Sequence, residues 1–202
     1  MAKYKVTYFD FAGGRGEEVR LALTVAGVDF KDNRVDRETF LKLKPDLPVP
    51  TLPVLEVEGE GAIGESNAIL RLIGRRHGMH PADPFDAARH DALMDFVEDL
   101  RHRINFTTQM QDPAAKKAAR QKLAEDYIPQ WSRCVERMLG DGPFMAGADP
   151  SVVDMKLFIV DKWLSSGTVD DIPSSIFDAF PKFKAAAEAV RTHPRVVAWY
   201  AR

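Results

Sequence analysis

The stretch that decides the fold is residues 48–66, PVPTLPVLEVEGEGAIGES. Val54, Leu55, Glu56 and Val57 have the pattern of a strand, yet Pro53 stands directly ahead of them. Proline has no N–H for a sheet ladder, so it belongs at a strand's first residue, on an edge or at a bulge. One reading is punctuation, with the ladder starting after it. The other is that the backbone ahead of it must present an N–H and a C=O to something other than a strand. Downstream, a turn at residues 58–61 and the run GAIG complete a hairpin, and Glu65-Ser66 opens the next helix.

Working outward, KYKVTYF alternates as a strand should, with Tyr4, Val6 and Tyr8 on one face. RGEEVRLALTVAGV follows as a helix: acidic residues in its first turn, Val19, Leu23 and Ala26 at helical spacing, and Gly27 as its C-cap. DFKDNRV reads as a second strand, DRETFLKLK as a short helix capped by Asp36, and SNAILRLIGRRHG as a helix ending at Gly78. The order β-α-β-α-β-β-α makes residues 1–79 a mixed-sheet α/β unit similar to the thioredoxin arrangement. A proline-punctuated connection is expected at 80–86. No convincing strand pattern occurs from 87 to 202, so an all-helical unit is expected there. Its first long helix carries Leu93, Phe96, Val97 and Leu100 on one stripe, and a second is interrupted near Pro129. Ser151-Val152-Val153-Asp154 has the spacing of a capping box, with a structural part to play.

Composition narrows the function classes. The 202 residues are 45% hydrophobic and 29% charged, ordinary for a globular protein, with a formal net charge of −2. That balance gives no electrostatic reason to expect nucleic acid or an anionic membrane as partner. The opening run MAKYKVTYFDFAGG has no apolar signal-like core, and no segment approaches membrane-spanning length. A single cysteine, Cys134, excludes an internal disulfide framework and fits a reducing compartment, so a cytoplasmic location is expected. It falls mid-helix, where an inert buried thiol is the expectation. The five histidines form no zinc-type constellation with cysteine, and no metal is expected.

Taken together, KVTYFDFAGGRGEEVRLAL, LPVLEVEG with ESNAILR, PSVVDMKLF and FPKFKAAAEAVRTHPRVVAWY resemble, in order and spacing, the cytosolic glutathione transferases of the tyrosine-type, sigma-like group. The resemblance spans nearly the whole chain. It implies a glutathione-binding thioredoxin-like domain, an all-helical domain shaping an electrophile pocket, glutathione as co-substrate, and a homodimer. It also implies that Pro53 is cis and that Leu52 pairs its backbone with the cysteinyl backbone of glutathione, as an added strand would.

By the same resemblance Tyr8 carries the chemistry. A thiol is poorly ionised at neutral pH, and a hydroxyl donating to the thiolate favours the charged form. Lowering the thiol pKa by two takes about 2.7 kcal/mol, within reach of one charged hydrogen bond and a helix terminus. Arg15 assists, although FAGGRGE carries one glycine more than the usual spacing. Glu65 and Ser66 hold the γ-glutamyl ammonium and carboxylate, where Ser66 also serves as a helix cap. Glu98 or Asp99, with Asp99 preferred, supplies an acid to the partner subunit. Phe40, Lys44 and Thr51 face the glycyl end; Phe40 lacks an indole N–H, and Thr51 is shorter than the usual polar residue, so the grip there is weakened. Phe9, Phe11, Phe106 and Met110, with Trp199 and Tyr200, are candidates for the electrophile pocket's walls. The rival is a non-catalytic binding protein that keeps the fold. A thiol-redox protein is disfavoured, because no cysteine stands at the first helix's N-terminus.

Overall fold

The computed structural model describes residues 3–202; Met1 and Ala2, where the expected first unit begins, lie outside the described residues. The first half is a four-stranded sheet ordered β2-β1-β3-β4, where β1 is Tyr4–Phe9, β2 is Phe30–Val35, β3 is Val54–Val57 and β4 is Gly61–Ile63. β1 runs parallel to β2 and antiparallel to β3, and β3 pairs antiparallel with β4. The β1–β3 ladder ends at the pair Thr7–Val54, so Pro53 does stand just outside it. Helices α1 (Gly14–Ala26), α2 (Arg37–Leu43) and α3 (Ser66–His77) complete this half. Gly27 and Gly78 end α1 and α3 in the left-handed conformation, and Asp36 caps α2 by accepting from the Thr39 amide at 2.8 Å.

The second half is helical: α4 (Pro84–Thr108), α5 (Pro113–Lys122), α6 (Ile128–Met138), α7 (Val152–Ser165), α8 (Pro181–Arg191) and α9 (Pro194–Tyr200). Two details differ from the sequence reading. α4 reaches back to Pro84, because Asp83 accepts from the amides of Phe85 and Asp86 and Pro84 needs no partner at the first helical position. The last three residues of the expected connection are therefore helical. The interruption before α6 is a π-helical turn, Leu123–Tyr127, with Pro129 inside the first turn of α6 rather than at a break. The wider turn accommodates a residue that cannot donate to the ladder. The expected capping box at the start of α7 is present: Asp154 accepts from the Ser151 amide and hydroxyl, both at 2.7 Å, and from the Met145 amide at 2.9 Å.

α1 is the main helix at the junction of the halves, with α3 also packing on α4 and α7. α1 packs on β1 and α3 on one side and on α7 and α9 on the other. Every residue from Gly16 to Leu23 is buried, including Glu17, Glu18 and Arg20. A helix buried all round must have its charges paired within the protein. That requirement shapes the site.

Candidate active site

Tyr8 lies near the end of β1, 8% exposed, with the first turn of α1 packed against its ring. A Cβ on Gly16 would fall 2.0 Å from the ring, and one on Gly14 would fall 2.6 Å from the hydroxyl. Gly14 also has φ +65, where a side chain is strained. The run FAGGRG is thus what lets a helix N-terminus close on the tyrosine. Burial, then the charge of Glu18, raises the Tyr8 pKa; a hydrogen bond from the Gly16 backbone amide and the charges of Arg15 and Arg101 pull the other way. The net effect is a phenol that stays protonated at neutral pH. Among the described residues no acceptor is paired with its proton, so the O–H is free to donate. Tyr4, on the same face, is different: its hydroxyl is 3.1 Å from His77 Nε2 and is used within the fold.

Arg20 fixes the segment that follows Tyr8. Fully buried, it donates to Asp32 Oδ1 at 2.8 Å, to Glu17 Oε2 at 3.2 Å, and to the carbonyls of Phe11 and Phe9 at 3.1 and 3.2 Å. Its guanidinium also lies 5.6 Å from the centroid of the Tyr8 ring. Sequence reasoning missed this residue; the signal was the i,i+3 spacing of Glu17 and Arg20 on a helix otherwise rich in apolar residues.

Arg15, despite the extra glycine, reaches across to α4. Its Nε and Nη2 donate to Glu98 Oε2 at 2.7 and 2.6 Å. Glu98 Oε1 accepts from Lys156 Nζ on α7 at 2.6 Å and from Arg101 Nη1 at 2.9 Å. Lys156 also donates to Glu18 Oε2 at 3.0 Å, and Arg101 pairs with the other oxygen of Glu18. Burial opposes the charge on Glu98, but Lys156, Arg101 and Arg15 hold its carboxyl down to about 2. Glu18, Arg101 and Lys156 were likewise missed by sequence reasoning. Each looks in isolation like a surface charge, and only the packing of α1, α4 and α7 brings them together.

The other edge of the site is left open. The Leu52-Pro53 bond is cis. Among the described residues no hydrogen bond is made by the Leu52 backbone, and the nearest turn contact is the Thr51 amide to the Val49 carbonyl at 2.7 Å. A Cβ on Gly64 would sit 2.0 Å from Val49 Cγ2, so that glycine lets the loop before β3 lie against the entrance to α3. There Glu65 precedes the helix with φ 64 and ψ 110, a conformation sparsely populated by residues other than glycine. Ser66 is the first helical residue and is buried, but it caps nothing: the α3 N-terminus has no side-chain cap. The expected capping role is therefore corrected. The first-turn amides that a cap would satisfy stay available.

Phe40 is half-buried, 5.4 Å from Phe9 between ring centroids, and Lys44 Nζ lies 6.0 Å over the Phe40 ring. Phe9 in turn stands 5.6 Å from Tyr8, so an aromatic file links the tyrosine to the exposed Lys44. Thr51 is exposed. Of the residues expected to line an electrophile pocket, Phe11 is 48% exposed and stacks 5.5 Å from Tyr8. Phe106 borders a cleft of about 570 Å³ with His102, Arg103, Leu123 and Tyr127, and no aromatic contact among the described residues joins it to Phe9 or Phe11. Met110 is half-buried in the turn after α4. Trp199 and Tyr200 border a different cleft, of about 760 Å³, and the Trp199 indole donates to buried Glu17 at 2.8 Å. They close the seam between α1 and α9. Asp99 is exposed and, among the described residues, has no ion-pair partner, whereas Glu98 is committed within the chain. Cys134 is half-buried rather than buried and accepts from Arg137 at 3.0 Å. Among the described residues no group of three or more His, Cys, Asp or Glu is gathered as a metal site. No described helix is long and apolar enough to cross a membrane.

A thioredoxin-like sheet with a buried tyrosine at a helix N-terminus, joined to a helical bundle, defines a class, and comparison gives it a family. Residues 4–75 match the glutathione S-transferase N-terminal domain and residues 98–202 its C-terminal domain. The chain is 30% identical to glutathione S-transferase 1 of Ascaris suum, over 100% of this chain and 97% of that one. It is 28% identical to hematopoietic prostaglandin D synthase of Gallus gallus, over 98% and 96%. The structure of prostaglandin synthase D of Nilaparvata lugens superposes with a TM-score of 0.86 at 28% identity, covering 99% of this chain and 98% of that one. The chain belongs to the glutathione S-transferase family. It is a glutathione transferase, with glutathione as its co-substrate.

Proposed function

We propose that Tyr8 is the catalytic hydrogen-bond donor, holding the glutathione sulfur as a thiolate for attack on a hydrophobic electrophile. The observation that carries this is the protonated Tyr8 hydroxyl under the N-terminus of α1, whose proton has no acceptor among the described residues. Leu52 accepts and donates to the cysteinyl backbone, and the uncapped first turn of α3, with Ser66, takes the γ-glutamyl carboxylate. Glu65 takes the ammonium. Phe40, Lys44 and Thr51 border the glycyl end, with Lys44 supplying the charge. The thiolate attacks soft carbon in conjugation, and the same activated sulfur serves isomerisation and peroxide reduction. Phe9 and Phe11, whose rings lie 5.6 and 5.5 Å from that of Tyr8, are the nearest walls for the electrophile.

The protein acts in the cytoplasm as a homodimer in which Asp99 reaches the glutathione of the partner subunit. Its exposure and lack of a partner within the chain support that role. The division into units 1–79 and 87–202 follows the change from sheet to helices, with α4, which begins at Pro84 within the expected connection, opening the second. The deciding experiment is titration of the ultraviolet thiolate absorbance of bound glutathione in the wild type and in Tyr8→Phe. The expected result is a thiolate well below the free thiol's midpoint in the wild type and a return upward in the variant. Binding with no thiolate in either protein would instead favour a glutathione-binding protein without turnover. Asp99→Asn is expected to raise the KM for glutathione several-fold with kcat nearly unchanged, by steady-state kinetics.

A further inference from the structure

The network at the junction of α1, α4 and α7 holds three cations, Arg15, Arg101 and Lys156, against two carboxylates, Glu18 and Glu98. Lys156, Glu18 and Arg101 are almost wholly buried, so their charges are poorly screened by solvent. Every carboxylate oxygen is engaged, Glu18 Oε2 and Glu98 Oε1 by Lys156 and the other two by Arg101 and Arg15, and the cations outnumber the acids by one. The charges of Arg15, Arg101 and Glu18 are all felt through space at the Tyr8 hydroxyl. Tyr8 donates one hydrogen bond; a helix terminus adds a partial charge. A whole uncompensated charge in a dry junction is a larger electrostatic influence than that partial charge.

Other charges around α1 are paired separately. Arg20 is paired with Glu17 and Asp32, Asp32 also with Arg34, and Arg34 with the exposed Asp10. On α7, Lys162 donates to the Ala12 carbonyl at 2.9 Å, and Asp161 is shared by Lys184 and Arg191. On α4, Asp91 is engaged by Arg71 and His80. Among the described residues none of these ion pairs joins the five-residue network, which keeps its own count of three cations to two acids.

We propose that Lys156 is a positioning residue that fixes Arg15 through Glu98, and that the single surplus positive charge of this network sets the ionisation of the glutathione thiol together with Tyr8. The inference rests on the proposed glutathione site. It assigns to the helical half a share of thiol activation, transmitted from α7 to α1 through two carboxylates. Lys156 reaches the sulfur only through its neighbours.

The test is the midpoint of the bound thiolate's absorbance in the wild type, Lys156→Met, Glu18→Gln and the double variant. Counting charges, the network goes from +1 to 0 in Lys156→Met, to +2 in Glu18→Gln, and back to +1 in the double variant. The midpoint is expected to rise by about one pH unit in the first, fall by about as much in the second, and return near the wild-type value in the third. A lysine that merely supports folding would give no opposite shifts and no rescue. If Lys156→Met does not fold, the downward shift in Glu18→Gln still decides the sign. An unmoved or upward midpoint in Glu18→Gln, with a wild-type thiolate present, overturns the inference alone. A wild type that binds glutathione without forming a thiolate overturns the site reading on which it rests.

Discussion

The two sides of the site are built on opposite plans. At the floor, where α1 meets α4 and α7, charges that the packing has buried are tied to one another: Glu98 alone engages Arg15, Arg101 and Lys156. At the edge, between β3 and α3, polar groups are left without partners among the described residues: the Leu52 backbone, the first-turn amides of α3 and the Ser66 hydroxyl. A closed network rigidifies and sets a potential, because no group in it has anything to gain from a ligand. An open row of donors and acceptors is suited to binding, because a ligand supplies what the fold withholds. Tyr8 stands where the two meet, buried like the floor, with a proton that no described residue accepts, as at the edge. The comparison teaches which side should respond to which perturbation.

The largest effect belongs to Tyr8. Removing its hydroxyl deletes a preorganised donor, and turnover is expected to fall about 10²–10³-fold in Tyr8→Phe, measured as kcat at saturating glutathione. A fall of only a few-fold would mean that the charged floor activates the thiol without the tyrosine, and the division between the two sides would have to be redrawn.

Glu98 comes next and tests the floor alone. Its carboxyl, at about 2 in the folded protein against an ordinary value of 4.5, is depressed. A depressed acid contributes stability that is fully present above pH 4.5 and is lost as pH falls from 4.5 through about 2. Glu98→Gln is expected to destabilise the protein at neutral pH by about 2–3 kcal/mol, as an incompletely buried ion-pair hub should. It should also flatten the acid limb of stability between pH 4.5 and 2, measured by urea unfolding across that range. An unchanged acid limb would show that the network is not what the low pH disrupts.

The same contrast explains what was legible in the sequence. The edge was readable because its devices are local: Pro53 before a strand, Glu65-Ser66 before a helix, Asp36 three residues ahead of the amide it caps. The capping box at Ser151 and Asp154 was readable for the same reason. The floor was not, because Glu18, Glu98, Arg101 and Lys156 come from three helices, with up to 138 residues between paired members. Nothing near Lys156 in PSVVDMKLFIVD distinguishes it from an exposed helical lysine. Of the two glycines before Arg15, Gly14 lies against the Tyr8 hydroxyl, a closeness that the spacing of FAGGRGE does not disclose. The resemblance makes Trp199 a candidate pocket wall, but the partner of its indole, a buried glutamate on α1, is not visible from the C-terminal stretch that carries it.

The smallest effect is the sharpest test of the edge. Glu65 holds φ 64 with ψ 110, while its side chain is exposed and caps nothing. A residue in such a conformation carries about 1–3 kcal/mol of backbone strain unless it is glycine. Glu65→Gly relieves that strain but frees the unfolded chain, which offsets about 0.5–1 kcal/mol of the gain. Stability by urea unfolding is therefore expected to rise slightly, by about 1 kcal/mol. If Glu65 is held in place to meet the ammonium of glutathione, the KM for glutathione should rise about tenfold in the same variant, since one charged hydrogen bond is lost. The two readouts move in opposite senses, one for the fold and one for the ligand. A variant more stable and equally tight would leave the strained glutamate without a function, and one less stable would show that the surrounding loop, not the ligand, requires it.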